Sequence, residues 1–178
     1  MTAERSEVVL DADASDVAVA RLAALAIGLA AFEAALPSPI PGVKPGLANV
    51  ITLLAWAQFG WRTAAWVSLL RVIAVGILFG SLLTPGFFLS LAGALSSLLV
   101  LAPMRWLPRP FFGLVTISVV CAFAHVAGQL ALVYAWWMPA GGVLALMPVF
   151  AWAALLFGVA NGLACAALLQ RRTDLAAA

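Results

Sequence analysis

The stretch AALPSPIPGVKPGLANVI, residues 34–51, interrupts an apolar chain with four prolines, two glycines and one lysine. Each proline removes a backbone hydrogen-bond donor and resists the interior of a straight helix. Long apolar runs without such breaks lie on both sides of it. The stretch therefore separates two helices, and the structure that it can adopt depends on whether those helices lie in water or in a membrane.

The composition identifies that medium as a membrane. Of the 178 residues, 66% are hydrophobic and only 9% are charged, which leaves too little charge for the water-facing surface of a soluble domain. The net charge of +2 argues against a nucleic-acid surface. We therefore predict an all-α, polytopic integral membrane protein.

Apolar runs near the roughly 20 residues needed to cross a bilayer occur six times. They cover, approximately, residues 20–36, 47–61, 63–83, 86–104, 111–138 and 143–170. The start of the chain is acidic and lacks the basic region of a signal peptide, so we expect the first helix to stay in the protein. We also predict that residues 1–17 form a disordered cytoplasmic tail. The membrane domain is then 18–172, and 173–178 form a short C-terminal cytoplasmic tail.

The distribution of cations predicts the orientation. With both termini in the cytoplasm, the inner side carries Arg5, Arg21, Arg62, Arg105, Arg109, Arg171 and Arg172. The outer side keeps only Lys44, so the bias follows the positive-inside rule. The location that we expect is the bacterial cytoplasmic (inner) membrane.

This orientation places the proline-rich stretch at the outer face. Non-helical backbone at membrane depth persists only where protein buries it or where it lines a wet cavity. We therefore predict a re-entrant hairpin or lid over a cavity, with a simple extracellular loop as the alternative. The lid residues are Pro37, Pro39, Pro41, Gly42, Pro45 and Gly46.

Polar side chains within apolar spans are costly and are often functional. Counted at about 1.5 Å per residue, they fall in one band through the middle and outer half of the membrane. With Lys44 above them, the predicted substrate-binding residues are Glu33, Lys44, Asn49, Arg71, His125, Gln129 and Asn161. Because Lys44 and Arg71 outweigh Glu33 in charge, the set favours an anionic or strongly polar ligand.

A structural polar network is the alternative interpretation of these residues. Glu33 and Arg71 could neutralise each other, and Asn161 could bond across helices. Rows of small residues also predict close helix packing, as at Gly76/Gly80 and Gly158/Gly162. The row in the first helix, formed by Ala20, Ala24 and Gly28, serves either internal packing or the docking of a membrane partner.

Several catalytic classes lack their motifs. The sequence contains no phosphate-binding GxxxxGK[ST] loop, no GxSxG elbow and no cluster of cysteine and histidine, and Cys121 and Cys165 stand alone in apolar runs. Past Asp16 the only acids are Glu33 and Asp174, too few for the aspartate clusters that hold magnesium against a diphosphate. We expect no catalytic residue, no metal, no cofactor and no independent enzymatic activity.

Four blocks carry a family resemblance. They are E-x-x-LP-x-PIPGVKPGLANVITLLA from Glu33, LLRV from Leu69, SLAGALSSLL from Ser90 and AHVAGQL from Ala124. Over roughly residues 20–170 they resemble the family called Gx transporter or heptaprenyl diphosphate synthase component I. That family is similar to the substrate-binding S components of energy-coupling factor (ECF) transporters. Val126 stands where the family usually has asparagine after the histidine.

The resemblance implies a six-helix bundle that captures a small molecule from outside. In S components, a membrane coupling subunit and two ATPases drive release inward, and small-residue rows of the first helix form the docking surface. A flavin or a quinone precursor is the ligand that the resemblance implies. The alternative function is a non-transporting membrane subunit that anchors or assembles a flavin-linked redox or prenyl-quinone biosynthesis complex.

Overall fold

The computed structural model describes residues 13–36, 45–107, 112–137 and 140–177. All regular elements in these ranges are helical, and no strand occurs among them. The α-helices are α1 (Ala14–Ala35), α2 (Leu47–Phe59), α3 (Trp61–Leu78), α4 (Pro85–Leu101), α5 (Leu114–Trp136) and α6 (Ala140–Ala177). A 3-10 turn, Ala102–Trp106, continues α4.

The helix ends follow local signals in the sequence. Asp13 caps α1, because its carboxylate accepts hydrogen bonds from the backbone amides of Ser15 and Asp16 at 2.7 and 2.9 Å. The Ser15 hydroxyl and these amides lower the pKa of Asp13. Thr84 caps α4 through the amide of Phe87, with Pro85 in the first turn. Helix α1 thus begins at Ala14, inside the stretch that we predicted to be a disordered tail.

Five of the helical stretches are long and apolar enough to cross a membrane. They are Ala14–Ala35, Trp61–Leu78, Pro85–Trp106, Leu114–Trp136 and Gly141–Asp174. The chain is therefore a multi-pass membrane protein. Helix α2 has only 13 residues, about 20 Å of rise against a hydrocarbon core of about 30 Å. The predicted count of six spans and the orientation of the termini stay predictions.

The helices form two groups of three. In the first half, α1, α2 and α3 all pack against one another, whereas in the second half α5 packs between α4 and α6. The halves meet mainly where α3 contacts α4 and where α2 contacts α6. Helix α2 supplies the largest share of the buried apolar core, through Val50, Ile51, Leu53 and Ala55. The short helix is therefore a main contributor to the buried core.

Tight corners and close approaches depend on a few glycines. Gly60 alone joins α2 to α3, and its φ of 89° lies in the left-handed region that side chains disfavour. A Cβ at Gly162 would lie 2.6 Å from the Val115 Cα, and one at Gly158 would lie 2.8 Å from the Val119 Cα. The Gly158/Gly162 pair therefore packs α6 against the backbone of α5.

The other predicted packing pair has a different outcome. Gly76 lies in α3, where an added Cβ would meet the Phe87 ring at 3.0 Å. Gly80 lies beyond the end of α3 with a φ of 62°, and a Cβ added there would meet nothing within 4 Å. The prediction that Gly76 and Gly80 pack together on one helix face is wrong, because the helix ends at Leu78.

Candidate ligand-binding cavity

A cavity of about 610 Å³ is bounded by residues of all six α-helices. Its volume lies within the range of about 300–1,000 Å³ that is usual for small-molecule sites. Six of the seven predicted substrate-binding residues line it: Glu33, Asn49, Arg71, His125, Gln129 and Asn161. The structure therefore brings these side chains to one place, and their role in binding a ligand stays a prediction.

Glu33 lies at the cavity beside the start of α2. Its Oε1 accepts a hydrogen bond from the Leu47 amide at 2.9 Å, although the two residues belong to different helices. The carboxylate is almost fully buried, with 6% of the residue exposed. An anion at a helix N-terminus is stabilised by the free amides and the positive end of the helix dipole. Glu33 therefore caps the N-terminus of α2 inside the bundle.

Arg71 reaches the same helix from α3. Its Nη1 donates to the Asn49 Oδ1 at 3.0 Å, and the residue is 9% exposed. This contact uses one N–H of a guanidinium that carries several, and Arg71 also lines the cavity. The arginine can therefore hold its place through Asn49 while it offers further donors to a carboxylate, phosphate or carbonyl group.

Asn161 connects α6 to the segment before α2. Its Nδ2 donates to the carbonyl oxygens of Pro45 and Gly46, each at 3.2 Å. Gly46 has a φ of 71°, and a Cβ there would lie 2.8 Å from the Asn49 Nδ2. The positive φ favours glycine at this position, and a side chain there would also displace the Asn49 amide. One amide side chain thus fixes the irregular backbone that leads into α2.

His125 and Gln129 line the cavity from α5, one helical turn apart. The His125 imidazole lies directly against Gly93 of α4, in the space that a side chain at residue 93 would occupy. Its Nδ1 is buried and has no hydrogen-bond partner among the described residues. Gly93 therefore makes room for the ring, and the ring keeps an unused polar atom.

The predicted neutralisation of Glu33 by Arg71 takes an indirect form. Glu33 bonds the Leu47 amide and Arg71 bonds Asn49, so both charges are attached to the first turn of α2. Glu33, Asn49, Arg71 and Asn161 thus form a polar network, as the structural alternative predicts, and the same four also face the cavity. The two interpretations are compatible at these residues.

Four residues of the predicted lid lie outside the described residues, namely Pro37, Pro39, Pro41 and Gly42. Lys44, the seventh predicted substrate-binding residue, also lies outside them. Pro45 and Gly46 are described, and both line the cavity. The lid as a whole stays a prediction.

The aromatic wall of the cavity was not predicted from the sequence. The ring-bearing lining residues are Phe79, Phe87, Phe150 and Phe157. On α6, Phe150, Ala154, Phe157 and Asn161 follow the spacing of one helix face, and all four line the cavity. That spacing was readable in the sequence, but phenylalanine is too common in membrane helices to mark a site unless a polar residue on the same face points to it.

The predicted docking row of α1 is exposed at all three of its positions, Ala20, Ala24 and Gly28. A Cβ at Gly28 would meet nothing within 4 Å. The row therefore does not pack against the described helices, and its role in docking stays a prediction. Among the residues that the structure describes, no group of three histidine, cysteine or acidic side chains is placed to hold a metal ion.

Comparison with known proteins gives one match. No curated protein and no solved structure matches the chain. The profile of one family matches residues 22–168, which include every described residue discussed above as a candidate ligand contact. The match covers more than half of the chain, and the chain therefore belongs to the family described as heptaprenyl diphosphate synthase component I.

Proposed function

We propose that this chain is a membrane-embedded substrate-binding subunit that takes up a small polar metabolite. The metabolite is a vitamin or a flavin-type compound, and separate coupling and ATPase subunits supply the energy. The observation that carries the proposal is the convergence of six polar side chains on one cavity of about 610 Å³. Packing alone does not require so many polar groups around an open volume inside a membrane protein.

The lining chemistry supports a ligand with two kinds of surface. Arg71 and Asn49 offer hydrogen-bond donors and acceptors at the start of α2, and Gln129 offers an amide on α5. Phe87 and Phe157 provide apolar faces in the same cavity. Ligand sites typically combine a mostly apolar lining with a few polar groups that fix orientation.

A stabilisation screen on the purified chain tests the proposal. Riboflavin, flavin mononucleotide and a panel of other vitamins are added to the detergent-solubilised protein, and the unfolding temperature is measured. A ligand that binds the native state raises this temperature with concentration, because binding stabilises the native state by mass action. No stabilisation by any compound in the panel would contradict the vitamin and flavin assignment.

Matched variants locate the binding site. Gln129→Leu removes an amide that lines the cavity, whereas Gln170→Leu makes the same change at an exposed position near the end of α6. We expect the first variant to bind at least about tenfold more weakly, which corresponds to roughly 1.4 kcal/mol of binding free energy. The second variant should bind as the parent does. Equal binding by both variants would place the site elsewhere.

A second candidate function rests on the family description, which names a component of heptaprenyl diphosphate synthase. In this case the chain anchors or assembles a prenyl-quinone or flavin-linked redox complex, and the exposed row Ala20, Ala24 and Gly28 contacts the partner. Purification of the chain with its partners from native membranes separates the two functions. ATPase partners support uptake, whereas a prenyltransferase or redox partner without ligand binding supports assembly.

A further inference from the structure

A second and much smaller cavity of about 40 Å³ adjoins the large one. The two cavities share four lining residues, which are Asn49, Ala122, His125 and Asn161. The remaining polar residues around the small cavity lie on α2, α4 and α5, toward the C-terminal end of α2: Thr52, Ser97, Ser118 and Cys121. We call this cavity the inner chamber.

Two residues that line the inner chamber each carry a buried polar atom without a partner. The Thr52 Oγ1 and the His125 Nδ1 have no hydrogen-bond partner among the described residues. Thr52 is 8% exposed and lies on α2, whereas His125 lies on α5 of the other half. Buried polar atoms in native proteins are nearly always paired, with protein or with ordered water. An occupant of the chamber that bonds to both atoms would account for the two exceptions together.

The chemistry of the chamber selects the occupant. A water molecule needs roughly 10–15 Å³ of cavity volume and two to four polar partners. The chamber, with about 40 Å³ and several polar lining residues, provides both. Water can donate to or accept from the His125 Nδ1, so it suits either tautomer of the ring. The Ser97 hydroxyl donates to the Ala94 carbonyl at 2.9 Å, which leaves its oxygen lone pairs as further acceptors.

A cation suits the chamber less well. None of the residues that line it in the described structure is acidic, and Asn49, which lines it, is bonded to the positively charged Arg71. The volume is also too small for a metabolite. A neutral molecule that both donates and accepts hydrogen bonds fits these constraints.

We propose that the inner chamber is a water-binding site in which ordered water bridges the Thr52 Oγ1 and the His125 Nδ1. The bridge joins α2 of the first half to α5 of the second, in the chamber that adjoins the large cavity. It fixes the orientation of the imidazole that faces the large cavity. The proposed site does not depend on which ligand the large cavity binds.

The experiment uses the fact that His125 is the single histidine in the sequence. The full chain, purified without a histidine tag and labelled with isotopic nitrogen in histidine, gives one pair of imidazole nitrogen resonances. In the ligand-free protein we expect the Nδ1 resonance at the position of a hydrogen-bonded nitrogen. We also expect a magnetisation-transfer signal between the ring and bound water.

A matched pair of variants tests the bridge. Thr52→Val removes the hydroxyl at nearly constant shape, and Thr63→Val makes the same change at a threonine that is equally buried but lines neither cavity. We expect Thr52→Val to move the Nδ1 resonance and to weaken the water signal at least severalfold, while Thr63→Val changes neither.

Either of two results would overturn the proposal. One is the absence of a water signal at His125 in the parent chain, which decides the question even when Thr52→Val fails to fold. The other is an Nδ1 resonance that Thr52→Val leaves unchanged. Neither result bears on the stabilisation screen for the large cavity, so failure of this inference and failure of the proposed function are distinguishable.

Discussion

The two halves of the bundle are held together in different ways. In the first half, buried polar groups bond to one another and to the start of α2, through Glu33, Asn49 and Arg71. In the second half, glycines bring backbones into contact, as Gly162 does with Val115. The first half is therefore a hydrogen-bonded scaffold around a short helix, whereas the second is a wall shaped by close packing.

This difference affects what each half can offer a ligand. The carboxylate of Glu33 and one N–H of Arg71 are already committed to protein partners. His125 and Gln129 of the second half line the cavity, and the Nδ1 of His125 has no partner among the described residues. The first half therefore presents charged groups that are already held by protein partners, whereas the second half presents an imidazole and an amide to the cavity.

The largest effect is expected from a substitution that forces the second half apart. Gly162→Val places a side chain 2.6 Å from the Val115 Cα, and backbone cannot yield as a flexible side chain can. We expect the free energy of unfolding to fall by about 3 kcal/mol, the upper range for overpacking. Denaturant titration in detergent measures the change.

The control for this variant is Gly28→Val. The same side chain at Gly28 of α1 meets nothing within 4 Å of its Cβ. Its unfolding curve should remain close to that of the parent, within the small difference in helix propensity. Equal destabilisation by the two variants would mean that close packing does not hold the second half together.

A smaller effect is expected when the scaffold of the first half loses one partner. Asn49→Leu removes the acceptor at 3.0 Å from the Arg71 Nη1 and leaves a buried cation with one hydrogen bond fewer. We expect a loss of about 2 kcal/mol, typical of a hydrogen bond to a charged group. Chemical unfolding of the single variant and of the parent gives this value.

The double variant Asn49→Leu/Arg71→Met sharpens the result. If the two side chains stabilise the fold through their mutual contact, the double variant loses less than the sum of the two single losses. Strict additivity would show that the contact between Arg71 and Asn49 contributes nothing to stability.

The smallest effect concerns the charge at the start of α2. Glu33→Gln keeps an oxygen that can accept from the Leu47 amide but removes the negative charge from the helix N-terminus. We expect a loss of about 1 kcal/mol, the magnitude of a charge–dipole interaction. Glu33→Ala should cost more in the same unfolding assay, because it also leaves the amide unpaired. Equal losses for glutamine and alanine would show that the hydrogen bond itself is unimportant.

Hydrophobicity made the helices predictable, because a membrane helix must be apolar along its length and must bond its own backbone. The six predicted apolar runs correspond to the six observed α-helices, with shifts at their ends. The start of α1 was placed too late, since the cap formed by Asp13 was not recognised. The short length of α2 was visible in the sequence, but its large share of the buried core was not.

The partners of the polar residues were less predictable. In the structural alternative that the sequence left open, Glu33 and Arg71 neutralise each other. The structure assigns each a separate partner at the start of α2, one of which is a backbone amide. Backbone amides are present at every residue, so composition does not show which of them is left unpaired at a helix end.

The sequence by itself determined that the chain enters a membrane as apolar helices and that a handful of polar side chains lies at membrane depth. Both follow from the cost of exposing charge or unpaired backbone to hydrocarbon, which is a property of each segment alone. Only the tertiary structure decided that helices of both halves line a common cavity, and which atom each polar side chain bonds. Those outcomes depend on how separate helices approach one another, and the approach is controlled by contacts between residues far apart in the chain, such as Asn161 with Pro45 and Gly162 with Val115.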